Sequence, residues 1–169
     1  MPKLEELFIP HTARSVAFNS HKPGNVAFVT NGFRENGVLG FVTPHPRDKV
    51  YRFLGIAFST FAEATVQAPP FIARGNGGSG LIVLQPRRSM SADALAEIAA
   101  HINAGIRWRF SWSRQASVER IRRLEIPEPR GGIGTFRVAD TLLPKTPAQK
   151  LALPAFEWVI FGLEGAETP

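Results

Sequence analysis

Short apolar runs rich in Val, Phe and Ile alternate with Gly- and Pro-bearing breaks through the first half of the chain, the pattern of strands joined by turns. The runs predict strands over Val26–Thr30, Val38–Thr43, Phe53–Phe61, Thr65–Ala73 and Leu81–Gln85. Pro69-Pro70 must lie at an edge or bulge, because proline donates nothing to a sheet ladder. Asn36-Gly37, between two apolar runs, predicts a tight turn with positive φ. The segment Gly75-Asn-Gly-Gly-Ser-Gly80 predicts a mobile loop, and nothing after it supplies the Gly-Lys-Ser/Thr of a phosphate-binding P-loop.

The period then changes. From about Ala92 to Ala104, Leu95, Ile98, Ala99 and Ile102 fall on one side of an amphipathic helix, with Ser91 to cap its start, Asp93 in its first turn and Gly105 to end it. Beyond Gly105 two readings compete. Ile106, Trp108, Phe110 and Trp112 alternate with Arg107, Arg109, Ser111 and Ser113 at the two-residue period of a strand, which would bury three aromatics and display two guanidinium groups. The competing reading continues the helix to about Arg109. Ser117 then caps a short basic helix whose Val118, Ile121 and Leu124 face inward and whose Arg120 and Arg123 face out, before Pro127.

Composition narrows the class. A chain of 169 residues, 44% hydrophobic and 20% charged, suits one globular domain with a real core. The domain is expected over residues 1–127, followed by a Pro/Gly-rich extension, 128–169, that ends in the apolar run Phe156-Glu-Trp-Val-Ile-Phe-Gly-Leu163. That run predicts a final strand docked on its own domain or a patch that binds another subunit. Twenty Lys and Arg against fourteen Asp and Glu leave a net charge of +6, which favours an anionic partner. With no cysteine there are no disulfides, thiolate metal sites or cysteine nucleophiles. No run approaches the roughly eighteen apolar residues of a membrane span, and no signal-peptide pattern opens the chain, so a cytoplasmic protein without a membrane partner is expected.

Reaction chemistry is sparse. His11, His21, His45 and His101 are scattered without metal-ligand spacing, so no metal and no cofactor are expected. No Gly-x-Ser-x-Gly elbow occurs, and Asp48 and Glu63 lack the Glu-x-Lys partner of a metal-dependent nuclease. Ala68-Pro-Pro-Phe71 resembles an amino-methyltransferase motif, but alanine cannot accept a hydrogen bond from a target amine. No catalytic residue is assigned. Binding chemistry is plentiful: Lys22, Asn31, Arg34, Asn36, Arg74, Arg107, Arg109, Ser113, Arg114, Gln115, Arg120 and Arg123 offer donors. Guanidinium forks suit phosphate or the O6 and N7 edge of guanine, and the carboxamides suit adenine.

Three segments, in order, carry a family resemblance. They are Val26-Ala-Phe-Val-Thr-Asn-Gly-Phe-Arg-Glu-Asn-Gly-Val-Leu-Gly-Phe-Val42, Gly55-Ile-Ala-Phe-Ser-Thr-Phe-Ala-Glu-Ala-Thr-Val-Gln-Ala-Pro-Pro-Phe71, and the aromatic-rich Phe110-Ser-Trp-Ser-Arg-Gln-Ala turn with its Ser-capped basic helix and Ile126-Pro127 ending. Together they resemble the target-recognition domain of type I restriction-modification specificity subunits over roughly residues 4–127. The resemblance implies a non-catalytic domain that reads part of a bipartite double-stranded DNA site for a separate DNA methyltransferase subunit, sometimes with a restriction nuclease subunit. It implies that Asn31, Arg34 and Asn36 in the first loop, and Ser113, Arg114 and Gln115 in the last turn, lie near DNA. Full-length subunits have two such domains and long helices; this chain resembles a half-subunit or a single-domain relative, which on a bipartite site would form a homodimer or pair with a fused partner.

The expected fold is therefore α+β: a curved, mostly antiparallel β-sheet with one amphipathic helix and one short basic helix. Arg114, Gln115 and Asn36 are expected at base edges, and Arg107, Arg109, Arg120, Arg123 and Lys22 at phosphates. The alternative is a protein-interaction module or decoy whose basic face binds an acidic protein.

Overall fold

Strand-period runs of the first half do form strands, but in two sheets where one curved sheet was expected. A computed structural model describes residues 1–32, 34–75, 80–111 and 113–129, so Trp112, most of the Gly75–Gly80 segment and the apolar run of the extension lie outside the described residues. In chain order the elements are α1 (Leu4–Leu7), β1 (Phe8–Thr12), β2 (Lys22–Val29), β3 (Val38–Thr43), β4 (Val50–Tyr51), β5 (Gly55–Phe58), β6 (Ala64–Gln67), β7 (Phe71–Ala73), β8 (Ile82–Pro86), α2 (Ala92–His101) and α3 (Val118–Arg122). One sheet has the order β1-β8-β5-β6, all antiparallel. The other has the order β3-β2-β7-β4, antiparallel except for the parallel pair β2 and β7. The fold is α+β with mostly antiparallel pairing, as expected.

Where the strands stop has local causes. The run Phe53–Phe61 yields only β5, because Ser59 Oγ accepts from Phe61 N–H at 3.3 Å and Glu63 N–H at 3.0 Å and bends the chain into a hairpin. The run Thr65–Ala73 divides at Ala68-Pro-Pro70, where both prolines are exposed and supply no ladder donor. The two halves, β6 and β7, enter different sheets. Two elements had no signal in the pattern, α1 and β1. They are held from outside: Leu4 N–H donates to Leu124 O at 2.7 Å and Ile126 N–H to Pro2 O at 2.9 Å, so the start of the chain closes on the residues after α3.

A main core fills the space between the sheets and α2, from Leu4, Phe8, Ile56, Phe58, Val66, Phe71 and Leu84 to Leu95, Ile98 and Ile102. Alternation along β2 serves two cores. Ala27 and Val29 join the main one, while Val26 and Phe28 pack with Val42 and Ile72 in a second, covered by Phe18 and Val50. A strand buried on both faces reads as a continuous apolar run, as Val26–Val29 does.

Of the two readings after Gly105, the helical one holds. Ile98, Ile102, Ile106 and Phe110 recur every four residues and all are buried, so a wide turn over Ile102–Ile106 and a tight turn over Arg107–Arg109 carry the apolar side of α2 onward. The two-residue alternation loses to this helical stripe, and Trp108, which the strand reading would bury, is 76% exposed. Ser117 Oγ accepts from Arg120 N–H at 3.3 Å and caps α3 as its sequence predicts, with Ile121 and Leu124 buried and Arg120 and Arg123 exposed.

Candidate nucleic-acid interface

The β5–β6 hairpin anchors the cationic surface. Ala116 N–H donates to Thr60 O at 2.7 Å, and Arg107 Nη2 pairs with Glu63 Oε1 at 2.8 Å, so both flanks of the 107–116 segment are tied to this hairpin. Between them, Ser111 and Arg114 exchange backbone hydrogen bonds of 3.0 and 3.2 Å, closing a tight turn that projects Ser113 and Arg114 into solvent. Phe110 turns inward beneath it and meets Phe58 edge to face at 6.4 Å.

Four arginines line one open concavity of about 320 Å³: Arg109, Arg114, Arg120 and Arg123, over an apolar floor of Phe110 and Leu124 and with Glu119 at its side. Arg109 and Arg123 also line an adjoining concavity of about 400 Å³, bordered by Met1, His101 and Glu125. Arg120 is braced by donating Nη1 to Gln115 O at 2.6 Å. Among the described residues, Arg109, Arg114 and Arg123 have no such side-chain hydrogen bond or ion pair. Three guanidinium groups without an acidic partner among the described residues, converging on one surface, repel one another, and an anion between them would relieve that repulsion.

Other predicted contacts stand elsewhere. Asn36 requires correction: it is 6% exposed, in the left-handed region at φ 52°, and its Nδ2 donates inward to Val66 O at 2.8 Å. Gln67 Nε2 in turn donates to Asn36 O at 2.8 Å. A carboxamide buried and turned inward in this way is not presented to an adenine edge. Beside it on the same strand, Ala64 exchanges bonds of 2.8 and 2.9 Å with the Asn103 carboxamide. Because β6 is a sheet edge and residues two apart present their backbone groups to the same side, these two carboxamides cap the outward groups of Ala64 and Val66. Asn36 is thus an edge-strand cap. Its turn and the Arg114 turn border opposite ends of β6, a strand of four residues spanning roughly 10 Å.

Arg74 is half-buried and donates Nη1 to Ser15 O at 2.6 Å, which commits it to holding the 13–16 segment. Arg107 is engaged by Glu63. Lys22 opens β2, whereas Asn31 and Arg34 follow its other end, so an eight-residue strand of roughly 25 Å separates them. Arg34 is exposed, while Asn31 Oδ1 is buried without a partner among the described residues. Sequence reasoning missed Trp108. Its signal was the four-residue spacing of Ile98, Ile102, Ile106 and Phe110, which leaves position 108 on the outer side.

Among the described residues no group of three or more His, Asp or Glu side chains is placed to hold a metal ion, and no helix is long and apolar enough to cross a membrane.

Fold and surface together define an α+β domain with an arginine-lined face next to an edge strand. Its architecture is similar to the crystal structure of the HsdS subunit from Thermoanaerobacter tengcongensis, with a TM-score of 0.55 at 15% identity. The match covers 99% of this chain and 39% of that one, so the chain spans about two fifths of the length of the subunit it resembles. The fold is therefore target-recognition-domain-like, as the three sequence segments implied. No family model matches the sequence, and no curated protein matches it.

Proposed function

We propose that this chain binds double-stranded DNA sequence-specifically, as the non-catalytic specificity component of a restriction-modification assembly with a DNA methyltransferase subunit. The observation that carries the reading is the convergence of Arg109, Arg114, Arg120 and Arg123 on one concavity of a target-recognition fold. Arg114, on a solvent-exposed turn, reads a base edge with Gln115 and Ser113 beside it. Arg109, Arg120 and Arg123 hold phosphates, and Arg34 extends the contact from the β2–β3 loop. Because the chain matches less than half of the neighbouring subunit, two copies, or one copy and a second domain, would engage the two halves of a bipartite site.

Selection of bound duplexes from a random pool, with affinity measured across salt, tests this. A preferred sequence is expected, with an affinity that falls steeply as salt rises. Arg114→Ala should lose about 1–3 kcal/mol of discrimination at one base pair. Arg123→Ala should weaken all sequences alike and reduce the salt slope by about 1. Identical effects from both variants would refute the division of roles. No duplex binding, with a stable complex to an acidic protein instead, would replace the proposal with the interaction-module alternative.

A further inference from the structure

Trp108 is a large apolar side chain held outside the core. Its indole N–H donates to Gly105 O at 2.9 Å, so its polar atom is used within the chain and the ring is fixed in orientation while 76% exposed. The guanidinium of Arg109 lies 5.5 Å from the ring centroid, and the same Arg109 lines both cationic concavities with Arg123. A fixed aromatic face next to converging guanidinium groups is the pairing that holds nucleotides whose bases are not stacked in a duplex: the ring takes the base, the cations take the phosphate. Stacked, paired bases offer no free face to an indole.

We propose that Trp108, with Arg109 and Arg123, forms a seat for one unpaired nucleotide of a DNA strand, the base lying on the indole and its phosphate between the two arginines. The proposal rests on the DNA-binding reading and adds to it a preference for DNA in which one base has left the stack.

The test compares end-labelled duplexes of one sequence: fully paired, carrying a single extra base, and carrying an abasic residue at that position. Each is titrated with the full chain and with Trp108→Ala and Trp108→Phe. The extra base should tighten binding about tenfold over the paired duplex, and the abasic residue should not. Trp108→Ala should abolish that gain while leaving affinity for the paired duplex and its salt dependence within about twofold, and Trp108→Phe should keep most of it. A gain that persists in Trp108→Ala, a gain equal with the abasic residue, or equal losses on paired and bulged DNA would overturn the seat. Salt-dependent binding of paired duplex with no gain from the extra base would sink this inference alone. Absence of binding to every duplex would sink it together with the proposed function.

Discussion

Replacing Asn36 separates the two roles an asparagine can have in this loop. In the structure its Nδ2 satisfies the buried carbonyl of Val66 at 2.8 Å, and its backbone sits at φ 52°, a region that asparagine adopts more readily than alanine. Asn36→Ala removes the donor and leaves a buried acceptor orphaned, costing about 1–3 kcal/mol. The left-handed backbone adds about 1–2 kcal/mol for a residue with a Cβ and no local hydrogen bond. The sum, about 2–5 kcal/mol, is a large share of the roughly 5–15 kcal/mol that holds a domain together. Asn36→Gly incurs the first cost without the second, so it should fall between wild type and Asn36→Ala. Urea denaturation of the three chains measures this directly, with the midpoint shifted and the slope unchanged. Wild-type stability in Asn36→Ala, accompanied by lost discrimination between DNA sequences, would refute the edge-cap argument and return the carboxamide to the DNA surface.

Two further predictions concern buried titratable groups. Tyr51 is 1% exposed and its hydroxyl has no partner among the described residues, so Tyr51→Phe should be neutral or stabilise by up to about 1 kcal/mol in the same denaturation assay, and a clear loss would contradict an orphaned hydroxyl. Burial pushes its phenol up to about 12. It is the chain's single tyrosine, so tyrosinate absorbance on alkaline titration reports it alone. A pKa raised in the folded state means stability present below about 10 and lost as pH rises from there toward 12, and ionisation near 10 with the fold intact would contradict its burial. Asp48 behaves oppositely: burial alone would raise its pKa, but hydrogen bonds from Val16 N–H, His21 and His45 N–H outweigh that and hold the carboxyl below its usual 3.8. Its stabilisation is therefore full above 3.8 and lost as pH falls through the lowered value; Asp48→Ala, which orphans those donors, should cost about 2–4 kcal/mol at neutral pH and flatten the acid limb of the stability curve.

How much was legible follows from which interactions are local. Ser91 and Ser117 were readable as caps because a cap is satisfied two or three residues along the chain. Asn36-Gly37 was readable as a positive-φ turn for the same reason, and both residues do have positive φ. The destination of the Asn36 side chain was not readable, since its partner is Val66, thirty residues away in sequence. The strand that α1 leads into was invisible because β1 acquires its pairing from β8 at a separation of seventy residues or more. At Trp108 both periods were present in the letters; Ile106 and Phe110 fit either one, and the four-residue stripe that runs on from Ile98 and Ile102 places position 108 on the outer side.

The arginines make the same point about function. Read as letters, Arg74, Arg107, Arg114 and Arg123 are equivalent donors. In the fold Arg74 holds a loop carbonyl and Arg107 holds Glu63, and each would have to break a bond of 2.6 or 2.8 Å before meeting a phosphate. Arg114 and Arg123 face the same concavity without that cost. A charge already neutralised within the fold gains little from a polyanion, whereas guanidinium groups crowded together gain both the new contact and relief from each other. Binding free energy should therefore concentrate on Arg109, Arg114 and Arg123, and the basic composition of the chain as a whole is a poorer guide to its interface than the inventory of which donors the fold has left unused.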